Sequence, residues 1–337
     1  MAFDIIFVTY NSSKWINNCV KAISRSNFDL KEVNLFFVDN NSNDNTIELL
    51  NKNKSEFSNL FGKFEIISSN KNLGFGKGNN LGASKGTSSL VFFLNIDTEL
   101  DQNALEEISR EAHKDDNKVG AFELRQFPYE HPKYYDPITG FTSWASGAAL
   151  VVTREVFEAV GGFSKKLFMY AEDVDLSWRI QLLDKKVKYI PKAVVNHYSY
   201  ATANEIKPTQ YLFSILNNLF LRCSFGSFDE IVNGFKMFLE VMKRRGPFER
   251  ARSILSKEFI KMTPKYISQL FWNISNRKAI KNIEAIKFLD WDFTIRRTGD
   301  FYQSKFPEET PLVSIVVRTC QRPDTVSYTH LTLPTTP

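Results

Sequence analysis

The 337-residue chain has little cysteine and no long apolar run. Cys19, Cys223 and Cys320 are odd in number and far apart. That spacing excludes a disulfide framework and a zinc ribbon, and it suits a reducing cytoplasm. No window reaches the roughly 18 uninterrupted apolar residues of a membrane span. Work on membrane-borne material would therefore be done from the surface. MAFDIIFVTYN carries no basic stretch before its apolar residues and does not read as a signal peptide. A dominant charge is also lacking, since 43 Lys and Arg stand against 38 Asp and Glu, leaving +5. A mildly basic chain favours anionic partners such as sugar nucleotides, phospholipid or nucleic acid, without choosing among them. Core material is plentiful, with 30 Phe and a hydrophobic fraction of 43%, as in a globular protein.

The apolar residues fall in short runs. FDIIFV (3–8), VNLFFVD (33–39), FEIIS (64–68) and SLVFFLN (89–95) read as buried strands. Polar, helix-length segments at 12–25, 44–58 and 75–86 lie between them. This alternation predicts an α/β fold, a mostly parallel sheet with helices on both faces. Ligands of such sheets bind beyond the carboxyl ends of the strands. Those ends read Thr9-Tyr10-Asn11, Asp39-Asn40-Asn41, Asn70 to Asn79 and Asn95-Ile96-Asp97. Asn and Asp favour turns on their own account, but four such ends in succession point to a site. In NLGFGKGNN (72–80), Gly74, Gly76 and Gly78 permit either close approach to a ligand or a loop-to-helix turn. Asn79 there is placed to hold nucleotide or loop backbone.

YAEDVDLSWR (170–179) crowds Glu172, Asp173 and Asp175 together. A helix starting near Ala171 puts all three in or near its first turn, where the helix dipole favours carboxylates. Asp175 and Arg179 are an i,i+4 pair suited to an ion pair, and Leu176 and Ile180 form a packing row. Glu172 and Asp173 are left at what reads as an exposed helix start.

From about residue 207 helical spacing dominates, at 208–225, 228–245, 248–261 and 264–290. Gly246-Pro247 and Thr263-Pro264 are read as breaks. These basic amphipathic helices are compatible with an anionic membrane surface, but an ordinary solvated face is the commoner reading of such a pattern. Near the end, SIVVRTCQRPDT (314–325) aligns on DIIFVTYNSSKW (4–15), as if a second copy of the first domain began and stopped. SYTHLTLPTTP does not continue that pattern and reads as a non-native tail. The expected division is 1–205, 206–300, 301–326 for a linker and truncated second domain, and 327–337.

VTYNSS, VDNNSNDNT, NKNLGFGKGNN, FLNIDTEL, SWASGAALVVTREVFEAVGGF and FMYAEDVDLSWR occur in the order and spacing of family 2 glycosyltransferases. The chain resembles that family over roughly residues 3–200. The resemblance implies a GT-A fold, here followed by a mainly helical C-terminal region. It also implies inverting transfer, hexosyl or rhamnosyl in type, from a UDP- or dTDP-sugar. The implied acceptor is a hydroxyl of a bacterial surface glycan, free or lipid-linked, with no nucleic acid involved. By the same resemblance Asp39 accepts a hydrogen bond from uracil or thymine, and Thr9 meets the base. Asn95 and Asp97 occupy the D-x-D position, with Asp97 as ligand to Mn²⁺ or Mg²⁺ and Asn95 reaching ribose or a neighbouring partner. His197 completes the metal site, and imidazole favours Mn²⁺. Trp144 and Gly147 line the sugar or acceptor site. Asp173 is the catalytic base and Glu172 contacts acceptor hydroxyls. Asn in place of the first Asp keeps a second reading open, a degenerate module that binds glycan or nucleotide sugar. A sugar nucleotidyltransferase is a third, but TYNSSKW lacks the Gly-rich basic loop that such enzymes carry after the first strand.

Overall fold

The computed structural model describes residues 1–114, 117–131, 133–199, 205, 207–296 and 302–303. The internal repeat at 314–325 and the 327–337 tail lie outside these residues. Met1–Ser304 form one compact unit.

The strands and helices run β1 Phe3–Thr9, α1 Ile16–Ser24, β2 Val33–Asp39, α2 Thr46–Phe57, β3 Lys63–Ser68, α3 Phe75–Ala83, β4 Leu90–Leu94 and β5 Thr98–Leu100. Next come α4 Ala104–Lys114, β6 Val119–Phe127, β7 Tyr129–Glu130, β8 Phe141–Thr142, β9 Ala149–Thr153, α5 Arg154–Ala159, α6 Glu172–Leu182 and β10 Lys186–His197. The last are α7 Pro208–Phe225, α8 Phe228–Lys243, α9 Ala251–Asn276, α10 Phe288–Arg296 and β11 Tyr302–Gln303. Nine strands form one sheet in the order β3-β2-β1-β4-β9-β6-β10-β5, with β8 against β10. The β1–β2, β2–β3, β1–β4 and β6–β10 pairs are parallel. The sheet is mixed because β9 runs antiparallel to both neighbours, β4 and β6.

Alternation along β1 explains the two helical layers. Phe3, Ile5 and Phe7 point into a core shared with residues of α1, α2 and α4. Ile6 points the other way, into a core with residues of α3, α5 and α6. Strands buried on both faces read as continuous apolar runs, as these do. Asp4 is the charged exception in β1 and is fully buried. Arg154 pairs with it at 2.6 Å, and Asn34 and Ser88 donate to the same carboxylate.

The helices α7 to α10 share a third core with Trp144, Val174 and Trp178. Trp178 is fully buried and meets the Phe288 ring at 4.8 Å edge to face. This cluster joins the helical region to α6. The break expected at Thr263-Pro264 does not occur, for α9 passes through Pro264. Pro264 sits on the outer face, where a carbonyl that has lost its N–H partner meets water. The Thr263 hydroxyl also donates to the Phe259 carbonyl at 3.0 Å. The single helix expected over 264–290 is instead the end of α9, two 3₁₀ turns and α10.

Candidate active site

A cavity of about 230 Å³ opens beyond the carboxyl end of β4. Its walls include Asn95, Trp144, Gly147, Glu172, Asp173 and His197. Six sequence-expected residues, spread over about a hundred positions, thus converge. Thr9, Asp39, Asn79 and Asp97 do not line the cavity itself.

Thr9 and Asp39 are opposite partners at the ends of β1 and β2. Both are buried, and the Thr9 hydroxyl donates to Asp39 at 3.1 Å. Asp39 also accepts from the Ser42 N–H at 3.0 Å and the Ser42 hydroxyl at 2.5 Å, which fixes the chain as it leaves β2. Asn79 donates to the Phe75 carbonyl at 3.1 Å, one turn back in α3. Of its two readings, the bond it makes is to backbone. The glycines before it are pressed by protein. A Cβ on Gly74, at φ 81°, would stand 2.3 Å from the Phe168 carbonyl oxygen, and one on Gly78 2.9 Å from Val8.

Asp97 and His197 meet because β5 pairs antiparallel with β10, placing Thr98 opposite His197. The His197 Nε2 lies 3.5 Å from Asp97 Oδ1. Its Nδ1 is 2.8 Å from Gln126 Oε1. An amide oxygen only accepts, so Nδ1 carries the proton and Nε2 presents a lone pair. That Nε2 is buried without a hydrogen-bond partner. A buried lone pair beside a carboxylate, with the other ring nitrogen fixed, fits a metal ligand. Among the described residues no three His, Cys, Asp or Glu converge. The Asp97–His197 pair fits a divalent ion whose remaining ligands come from phosphate and water.

The acidic cluster divides by environment. Asp175 binds Arg179 through Nε at 2.8 Å and Nη2 at 2.6 Å, while Arg179 Nη1 caps the Val160 and Gly162 carbonyls. Glu172 is not at an exposed helix start. It is buried, its Oε2 has no partner, and burial first, then Asp173, push its carboxyl up to about 8. Asp173 is partly exposed. Its carboxylate accepts from the Gly147 N–H at 2.8 Å and the Val174 N–H at 2.9 Å. Burial raises its proton affinity, and those two N–H groups pull it back.

The segment 143–147 that faces Asp173 is pinned at every residue. Gln181 donates to the Ser143 carbonyl, and Lys133 to that of Trp144. The Ala145 N–H donates to Ser177, the Ser146 N–H to Glu123, and the Gly147 N–H to Asp173. Lys133 and Glu123 form a buried ion pair at 2.5 Å. Burial pushes Glu123 up and Lys133 down, and each partner counters the other's shift. Trp144 is 2% exposed, with the Lys133 ammonium 3.8 Å from its ring centroid. Its ring is therefore almost wholly covered by protein.

Sequence reasoning missed Lys133, Glu123 and Asn217. Tyr170 and Ala171, just before α6, are both left-handed, at φ 64° and 70°. Each costs on the order of 1–3 kcal/mol. Asn217 of α7 donates to the Met169 and Tyr170 carbonyls at 3.0 and 2.7 Å and holds this turn. Each of the three works across more than ten residues of sequence, and no spacing rule reaches that far.

The model of the family described as Glycosyl transferase family 2 matches residues 4–175. An N-acetylglucosaminyl-diphospho-decaprenol L-rhamnosyltransferase of Mycobacterium tuberculosis is 41% identical over 63 residues, 18% of this chain and 20% of the relative. The match thus spans about a fifth of that relative's length. Among solved structures, S. aureus TarS 1–349 in complex with UDP-GlcNAc aligns with a TM-score of 0.52 at 16% identity, covering 85% of this chain and 84% of that one. Mannosyltransferase PcManGT from Pyrobaculum calidifontis, in complex with GDP-Man and Mn²⁺, aligns with a TM-score of 0.52 at 16% identity, covering 81% and 75%. At such identities the likeness is one of fold, and that fold is GT-A.

Proposed function

The chain belongs to glycosyl transferase family 2, and from that premise we propose that it moves a sugar from a UDP- or dTDP-sugar to a hydroxyl of a growing bacterial surface glycan. The transfer is one in-line displacement that inverts the anomeric centre. The observation that carries this reading is the placement of Asp173. Its carboxylate is fixed by two N–H donors, raised in proton affinity, and turned to a cavity also walled by His197 and Asn95.

Asp173 accepts the proton of the acceptor hydroxyl as that oxygen attacks the anomeric carbon. Each carboxylate oxygen keeps a further lone pair for this beyond its N–H bond. Glu172, protonated at neutral pH, donates a hydrogen bond to an acceptor oxygen. Thr9 and Asp39 hold the base, and Asn79 braces the Gly-rich turn beside it. Asn95 reaches ribose. Asp97 and His197 would hold a divalent ion, Mn²⁺ before Mg²⁺, which would supply Lewis-acid stabilisation of negative charge on the diphosphate. Trp144 and Gly147 line the sugar site, whose volume of about 230 Å³ falls short of the roughly 300–1,000 Å³ that takes a whole drug-sized ligand. It suits the reacting sugar, with the nucleotide lying along the strand ends.

The lipid-linked acceptor named for the rhamnosyltransferase relative supports a lipid-linked acceptor here, met at the membrane surface from the cytoplasm. No helix among the described residues is long and apolar enough to cross a membrane. A thermal-shift screen of UDP-, dTDP- and GDP-sugars with and without Mn²⁺ tests the donor assignment. Stabilisation by a UDP- or dTDP-sugar that depends on Mn²⁺ is expected. Indifference to every nucleotide sugar would sink the proposal.

A further inference from the structure

The catalytic cavity has a neighbour of opposite character. A groove of about 620 Å³ lies between the strap 164–171 and α9. Lys77, Lys165, Lys166 and Lys265 line it with Phe168 and Phe220, and no acidic residue does. All four lysines are exposed. Lys166 donates to Gln269 at 3.2 Å, and none of the four pairs with a carboxylate among the described residues. Four uncompensated ammonium groups around a concave, partly apolar floor make a site for phosphate monoanions or diesters.

The outer face of α9 continues from this groove. Ile260, Ile267, Phe271 and Ile274 recur at helical spacing and are all exposed, Phe271 at 68% and Ile274 at 76%. Lys257, Lys261 and Lys265 form an i,i+4,i+8 row beside them, and Lys265 belongs to both row and groove. The single acid of α9, Glu258, is taken by Lys261 at 2.5 Å. The opposite face is already used, with Leu255, Tyr266, Gln269 and Asn273 buried. An exposed apolar stripe edged by lysines has the pattern of a helix lying in a lipid interface.

We propose that the groove and the outer face of α9 together dock the protein on an anionic membrane, with lipid phosphates in the groove and Ile267, Phe271 and Ile274 among the upper acyl chains. Charge complementarity selects this occupant. A second copy of the same chain would set lysine against lysine. The strap links the surface to chemistry, because Lys165 to Phe168 line the groove and Met169 to Asp173 line the catalytic cavity. The inference rests on the proposed function in one respect, that the acceptor is membrane-borne.

The test is co-sedimentation of the full chain with vesicles of phosphatidylcholine alone or mixed with phosphatidylglycerol. Hydrolysis of the nucleotide sugar is measured in parallel, without vesicles. Binding to the mixed vesicles only is expected, weakening as salt rises. Lys165→Glu with Lys265→Glu should weaken it at least about tenfold. Phe271→Ser with Ile274→Ser should also weaken it, while leaving hydrolysis unchanged. Equal binding to neutral vesicles would overturn the proposal. So would full competition by inorganic phosphate with no effect of the Phe271 and Ile274 changes, which marks a free-phosphate site. A doubling of mass that the same changes abolish would overturn it in favour of self-association. Hydrolysis without vesicle binding removes this inference alone. Vesicle binding without hydrolysis removes the proposed function and leaves the docking surface standing.

Discussion

Glu172 and Asp173 are adjacent carboxylates with different surroundings. Asp173 has two N–H donors and a route to solvent; Glu172 has burial and an unpartnered oxygen. The folded-state pKa of Glu172, about 8, lies above its ordinary 4.5. The folded state therefore binds the extra proton between these values, and stability must fall as pH rises from 4.5 through 8. Glu172→Gln should flatten that fall, giving a variant that gains on wild type between pH 5 and 9 in urea unfolding. An unchanged slope would remove the neutral-acid role given to Glu172. His197 supplies a second prediction. Gln126 fixes its tautomer, so Gln126→Leu should weaken Mn²⁺ binding about 10- to 100-fold, read by calorimetry, with the fold intact by circular dichroism. Metal affinity equal to wild type would mean that Nε2 is not a ligand.

At the scale of elements, the site depends on how neighbouring pieces clamp one another. The 143–147 loop is held from α6, β6 and Lys133, and the left-handed turn before α6 is held from α7. Asn217→Leu leaves the Met169 and Tyr170 carbonyls without that donor. A loss of about 1–3 kcal/mol in stability is expected, with a lower kcat as Asp173 loses its fixed position. Full activity in this variant would show that the turn holds itself. Strands β1 to β4 were legible in the sequence because each is an apolar run of strand length between polar segments. Helix α7 was legible from Pro208 to its end at Phe225, before the Gly226 turn. Pro264 misled because it lies on the exposed face of α9, where water can take the freed carbonyl and a helix can bend and continue. The Asp175–Arg179 pair followed from i,i+4 spacing. The Asp97–His197 pair did not, since it depends on β5 returning beside β10, about a hundred residues on.

At the scale of the whole molecule, the helical region shares one apolar cluster with Trp144, Leu167 and α6, which ties α7 and α10 to α6. Inside it Arg222 is 2% exposed and binds Asp292 at 2.5 Å, with Asn218 accepting from its Nε at 2.9 Å. Asp292→Ala would leave that guanidinium with Glu230 as its remaining carboxylate partner, a cost of about 1–3 kcal/mol, measurable in urea unfolding. Asp292→Asn should recover part of it. Gln210 and Ser214 of α7 and Trp291 of α10 also wall the catalytic cavity, so loosening this cluster should lower transfer as well as stability. The proposed transfer turns on Asp173 as the group that deprotonates the acceptor. The direct test compares wild type with Asp173→Asn for sugar transfer and, by calorimetry, for donor binding with Mn²⁺. Transfer should fall at least about 10²-fold, with donor affinity nearly unchanged. Transfer that survives the substitution, or donor affinity that falls in step with it, would contradict the assignment.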